Sequence, residues 1–317
     1  MRVALFGSPA FALPVLDALL VRHEVELVVA QPDKPAGRGH KLTPPPVAQR
    51  ARELGLRLEQ PQRLKRNETF LELVRDLKVD VVITAAYGKI LPQVLLDIPK
   101  HGFLNVHASL LPKYRGAAPI QWALINGELE TGVSIMQTEA GLDTGPLRLV
   151  KKLELDPHDT AVTLFDKLSV LGAEALTEAL AKLERGNLPS CPQDDVQATH
   201  APMLSRDDGK IRWHEPAAQI YNRYRGVSAW PGSWTTYNGK VLKVQVLKVL
   251  QMTPLPTVQG EPGVVVAVTA EGVTVGTSEG AVLLKMVQPA GKPKLPARDW
   301  ANGYSVRIGT HLGAEHG

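Results

Sequence analysis

The sequence predicts an α/β protein: a Rossmann-like, doubly wound, mostly parallel sheet followed by a small OB-like β-barrel. Three observations carry this. Short apolar runs alternate with segments of helical spacing through the first half. The last third changes to short alternating strands with Asn-Gly and Glu-Gly turns. At 317 residues the chain is long for one domain and suits two.

The elements follow in order. RVALFG (2–7) and VELVVA (25–30) are strand-length, with helical spacing between them. ETFLELVRDLK (68–78) places apolar residues at helical intervals, and VDVVITAA (79–86) and FLNVHA (103–108) are further buried-type strands. Strand–helix–strand alternation implies parallel βαβ units. TGVSIMQTE (131–139) and PLRLVKKLEL (146–155) suit an antiparallel hairpin at the sheet edge, and a helix over about 160–185 closes the unit. The expected domains are a catalytic domain at 1–186, a proline-broken linker at 187–207 and a barrel at 208–317. A helix over 215–227 precedes about five barrel strands, and HLGAEHG reads as a frayed tail.

Composition narrows the function. Hydrophobic residues make up 44%, and no apolar run has the ~18 residues of a membrane span. The opening fits a first strand, turn and helix better than a signal peptide. A single cysteine, Cys191, excludes an intramolecular disulfide and points to a reducing cytoplasm. Residues 205–317 carry a net charge of +5 and residues 1–204 a net of −1, which hints at a polyanionic partner for the C-terminal part. The first βα turn, GSPAFA, has Gly7 as its only glycine, and no GxxxxGK[ST] is present, so no nucleotide cofactor is expected.

A ligand in such a fold lies beyond the carboxyl ends of the strands. Those ends offer Asn105 and His107 two apart on one strand, hence on one face. The hairpin turn AGLDTG adds Asp143 between two glycines. One imidazole without cysteine makes a poor zinc site, so no metal is expected. Together the three suit acyl transfer. An imidazole can take a proton from an attacking amine near neutral pH, an amide N–H can hold an oxyanion, and a carboxylate can orient the ring. There is no GxSxG elbow and the cysteine is remote, so direct transfer between two substrates is simpler than a covalent acyl-enzyme.

FLNVHASLLPKYRGAAPIQWALINGE with GVSIMQTEAGLDTGP resembles the formyltransferases that use 10-formyltetrahydrofolate. Within them it is most similar to those acting on initiator Met-tRNA, a likeness that runs through GSPAFA, QPDKPAGRGHKLTPPPV and the barrel. Ala140 stands where that pattern has a larger residue such as Val. The resemblance implies that Asn105, His107 and Asp143 are catalytic and that Ser109, Leu110, Leu111 and Pro112 bind the folate. Tyr87, Ile90 and Leu91 would flank the pteridine. Arg38 and Lys41, in a basic loop over 31–42, would reach the tRNA acceptor end. Lys240, Lys243, Lys292 and Lys294 of the barrel would contact phosphates, with steep salt dependence. Phe11 would wall the methionine side chain. A monomer would suffice. The rival readings are formyl transfer to a small amine (a glycinamide ribonucleotide or an amino sugar nucleotide), formyltetrahydrofolate hydrolysis, and an RNA-binding module without activity. The basic loop and barrel disfavour the first two, and the intact triad disfavours the last.

Overall fold

The structure, a computed structural model, describes residues 1–36, 41–238 and 244–313. The chain forms two compact units. One comprises Met1–Pro119, Leu129–Leu155 and Thr163–Pro202, the other Ile120–Glu128, Asp156–Val162 and Met203–Gly317. Up to residue 202 the strands are β1 (Arg2–Gly7), β2 (Glu24–Val29), β3 (Lys34–Ala36), β4 (Lys41–Thr43), β5 (Leu58–Glu59), β6 (Val81–Ala85), β7 (Phe103–His107), β8 (Arg115–Gly116), β9 (Glu130–Gln137), β10 (Leu147–Glu154) and β11 (His200–Ala201). The helices are α1 (Leu13–Arg22), α2 (Pro46–Glu53), α3 (Glu68–Asp76), α4 (Gln93–Leu96), α5 (Pro119–Ile125) and α6 (Ala161–Glu184).

The main sheet has the order β10-β9-β7-β6-β1-β2-β5. From β1 the chain winds outward through β2 to β5, then returns to lay β6 against the other side of β1, so the strand order reverses between β1 and β6. Strands β5 to β7 are parallel in the sheet, and β9 and β10 add the expected antiparallel hairpin. Central strands are apolar on both faces because helices cover both. Val3 to Phe6 and Val81 to Ile83 are completely buried. On one face Phe6 makes edge contacts with Phe70, Tyr87 and Phe103. Helix α3 joins this layer through Phe70, Leu71 and Val74, and its first turn is capped by Asn67, which accepts from the Phe70 N–H at 3.2 Å.

Gly7 has a packing reason. A Cβ there would sit 2.7 Å from the Ala12 side chain and 3.1 Å from the Ala85 carbonyl, so the glycine lets the first turn close against β6. In the basic 31–42 stretch, Lys34–Ala36 pairs antiparallel with Lys41–Thr43 as β3–β4. Residues 191–201, inside the expected linker, are paired. Cys191 bridges Leu147, and β11 runs parallel to β8.

The second unit contains α7 (Ala217–Gly226), β12 (Ser233–Asn238), β13 (Val244–Leu255), β14 (Val265–Thr269), β15 (Gly272–Gly276), β16 (Ala281–Pro289), β17 (Leu295–Pro296) and α8 (Ala297–Tyr304). Its antiparallel sheet has the order β12-β13-β16-β15-β14, with β17 on β16. The Glu-Gly turns fall where expected, with Gly272 at φ +149° and Gly280 at +77°. The Asn-Gly turn runs into Gly239, outside the described residues. The first residues of the expected frayed tail, 311–313, form a seam: the Leu312 N–H donates to the Gly263 carbonyl and the Gly313 N–H to that of Thr236, which links β12 to the approach of β14. Residues 314–317 lie outside the described residues. Helix α8, not expected from the sequence, contributes Trp300, which is completely buried and meets Tyr237 edge-on at 5.3 Å.

Candidate active site

β7 carries Asn105 and His107 on one face of the sheet at its carboxyl end. Parallel pairing sets Asn105 opposite Thr84 of β6. The Thr84 hydroxyl donates to Asn105 Oδ1 at 2.9 Å. That bond orients the amide: the oxygen is engaged, and the two N–H donors have no acceptor among the described residues. Asn105 is half-buried, so its donors can meet a ligand.

His107 is buried, and its Nε2 lies 3.0 Å from the Tyr114 carbonyl. A carbonyl only accepts, so Nε2 carries the hydrogen and Nδ1 is the basic nitrogen. Nδ1 faces Asp143 Oδ2 at 3.7 Å. With the ring neutral, two acceptors face one another, and this spacing suits them. A proton arriving on Nδ1 turns the same contact into an ion pair. The arrangement can therefore accept a proton at one defined atom and hold it.

Asp143 sits at the tip of the β9–β10 turn with φ +53°, a left-handed conformation unusual for a residue with a Cβ. Its Oδ2 accepts from the Gly116 N–H at 2.9 Å. Gln193 Nε2 donates to the carbonyls of Asp143 at 2.8 Å and Gly145 at 2.7 Å. Gly116 must be glycine: its φ is +124°, and a Cβ would lie 2.7 Å from the Ala201 carbonyl, where β11 packs on β8. Of the three side chains singled out from the sequence, His107 and Asp143 thus meet and Asn105 stands two residues from His107 on the same face of β7, supported by Thr84, Tyr114, Gly116 and Gln193, which were not expected from the sequence. Thr84 had a signal, as the polar residue of an otherwise apolar strand. Gln193 had none.

The other expected residues are placed less evenly. Ser109 is fully buried and its hydroxyl donates to the Lys113 carbonyl at 2.7 Å. That bond shapes the 109–113 loop. The loop is further tied by Ser134, whose hydroxyl donates to the Ser109 carbonyl and accepts from the Leu111 N–H. Leu111 is buried, Leu110 and Pro112 are half-buried, and the Leu111–Pro112 peptide is cis. Tyr87 is a core residue at 4% exposure, and burial pushes its phenol up to about 12. Only its backbone is left to line a site. Ile90 is 92% exposed and Leu91 half-buried. Phe11 is 4% exposed and packs edge-on against Phe165 at 5.5 Å. Arg38, Lys240 and Lys243 lie outside the described residues, as does the side chain of Lys41. Lys292 and Lys294 are exposed on the turn between β16 and β17.

A cavity of about 330 Å³ opens at the reversal of strand order, lined by Ser8, Gln31, Pro32, Lys34, Pro45 and Ala86. This is where such folds place ligands. A larger open hollow of about 650 Å³ lies at the opposite end of β6, around Arg75, Lys78 and Asp97, and neither space is lined by Asn105, His107 or Asp143.

Comparison with known proteins gives consistent results over the whole chain. Residues 1–180 match the formyl transferase family and residues 203–305 the formyl transferase C-terminal domain. A methionyl-tRNA formyltransferase of Deinococcus radiodurans is 53% identical over 98% of this chain and 95% of its own. The Thermus thermophilus methionyl-tRNA formyltransferase is 51% identical over 99% of both. Among solved structures, an N-formyltransferase from Helicobacter canadensis, in complex with folinic acid and dTDP-3-aminofucose, superposes with a TM-score of 0.68 at 17% identity, covering 91% of this chain and 99% of that one. HypX from Aquifex aeolicus in complex with tetrahydrofolic acid gives a TM-score of 0.64 at 18% identity over 97% of this chain and 48% of that one. At these identities the structures speak for the fold alone.

Proposed function

Since the chain belongs to the methionyl-tRNA formyltransferase family, we propose that it moves the formyl group of 10-formyltetrahydrofolate onto the methionine amine of initiator Met-tRNA, in the cytoplasm and as a monomer. The observation that carries the chemistry is the pairing of His107 Nδ1 with the Asp143 carboxylate, with the Asn105 amide donors free on the same face of β7. The amine nitrogen attacks the formyl carbon, and the bond from that carbon to N10 of the folate breaks. Asn105 holds the oxyanion through its amide donors. His107 receives the amine proton at Nδ1 and passes it to N10, while Asp143 stabilises the ring during the interval it is charged. The cavity at the reversal of strand order lies on the ligand side of the sheet, and the 86–92 and 109–112 loops offer backbone groups for a flat heterocycle. Residues 1–186 would supply the catalysis. Residues 208–317, with their positive balance, would supply phosphate contacts to the tRNA.

Labelled formyl transfer to Met-tRNA, run beside small amines and buffer, tests this reading. Transfer to Met-tRNA alone is expected. Transfer chiefly to a small amine or to water would reject it. In the same assay Asn105→Ala should lose roughly 10²–10³ in kcat with folate affinity nearly unchanged.

A further inference from the structure

The stretch between the expected domains contributes a side chain that the proposed chemistry uses indirectly. We infer that Gln193, oriented by Arg115, is a positioning residue that holds Asp143 in register with His107. The inference rests on the reading above and deepens it.

The geometry is unusually complete for one amide. Its nitrogen donates both hydrogens, to the Asp143 and Gly145 carbonyls. Its oxygen accepts from Arg115 Nε at 3.1 Å and Nη2 at 2.9 Å. Arg115 is 6% exposed, and its Nη2 also lies 2.7 Å from Asp195 Oδ1. A guanidinium can only donate, so it fixes which end of Gln193 faces the turn. The turn needs such a clamp. Asp143 at φ +53° occupies the left-handed backbone region, which a residue with a Cβ rarely adopts and which persists where its surroundings impose it. The neighbouring Gly141 and Leu142 are exposed and offer little packing. Beyond the turn's own ladder, the described contacts that impose the conformation are the Gly116 N–H and the Gln193 amide.

The alternative is that Gln193 merely staples residues 191–201 to the unit. A staple lost would lower stability and leave the turnover of folded molecules intact. A positioning role lost would let the carboxylate drift from Nδ1, and misplacement by about 1 Å can cost roughly 10²-fold in rate.

The experiment uses the full chain with 10-formyltetrahydrofolate and Met-tRNA. It compares wild type with Gln193→Glu, Gln193→Leu, Asp143→Asn, the double variant Gln193→Glu/Asp143→Asn, and Gln197→Ala as a neighbouring exposed control. Gln193→Glu keeps an acceptor for Arg115 but turns the donor toward the carbonyls into a second acceptor. Should Gln193→Leu fail to fold, Gln193→Glu carries the test. The expected result is that the Gln193 variants lose about tenfold or more in kcat with both KM values within about twofold. The double variant should be no slower than Asp143→Asn, because both changes remove the same contribution. Gln197→Ala should behave as wild type. A folded Gln193→Glu with wild-type kcat overturns the inference, as does a double variant whose losses multiply. A wild type that fails to formylate Met-tRNA would instead reject the reading beneath it.

Discussion

At the scale of single residues, the site is set by which atom of each side chain is already engaged. Thr84 takes the Asn105 oxygen and so turns the amide donors outward. Thr84→Val removes that restraint without changing side-chain shape much. It should lower kcat by less than Asn105→Ala does, with an unchanged KM for the donor, in steady-state assays. Tyr87 makes a different kind of prediction. Its hydroxyl has no partner among the described residues, and burial raises its titration to about 12. An unfolded tyrosine titrates near ~10. Between those values the unfolded chain binds fewer protons than the folded one, so stability is level below about pH 10 and falls as the pH climbs toward 12. Tyr87→Phe removes this contribution. Its melting temperature should fall less steeply over that interval, and at neutral pH it should equal or exceed that of wild type. A steeper fall in the variant would contradict the burial argument.

At the scale of elements, the β9–β10 hairpin does two jobs: it extends the sheet and presents Asp143. Its glycines follow from close backbone approach. A Cβ on Gly132 would collide with the Lys151 carbonyl, and one on Gly145 with the Gln137 carbonyl. Gly145→Ala should therefore spread the hairpin, cost about 1–3 kcal/mol in denaturant unfolding, and depress kcat because the carbonyl held by Gln193 moves. Unchanged kcat in a destabilised variant would separate the turn from the chemistry. Elements of this kind were legible in the sequence. Parallel strands buried on both faces read as continuous apolar runs, and the Asn105–His107 pair stood out as polar residues on such a run. Elements held by tertiary context were not. Residues 191–201 have no periodicity, because their order comes from pairing with β8 and from single side-chain bonds, so neither Gln193 nor the clamp on Asp143 could be read.

At the scale of the whole chain, two units are visible in composition as well as in fold. The periodicity changes from helical to two-residue after residue 230, and the net charge is −1 over residues 1–204 and +5 over residues 205–317. The closure of the second unit was the feature least accessible from sequence, since HLG carries no strand signal and pairs only because two edges await it. Leu312 is 5% exposed within that seam. Leu312→Ala should cost about 2–5 kcal/mol, the range for a buried leucine, seen as a lower midpoint for unfolding of the antiparallel sheet. A surface-like change under 0.5 kcal/mol would mean that the seam contributes little.

Tyr114 and Gly116 are separated by one residue, yet the carbonyl of the first engages the histidine and the N–H of the second the aspartate. Imidazole and carboxylate thus hang from adjoining peptide units of a single short strand, although one arises from the middle of the sheet and the other from its edge hairpin. Breathing of the sheet that separates β7 from the hairpin tip need not alter the gap between proton acceptor and counter-charge, because a common anchor carries both.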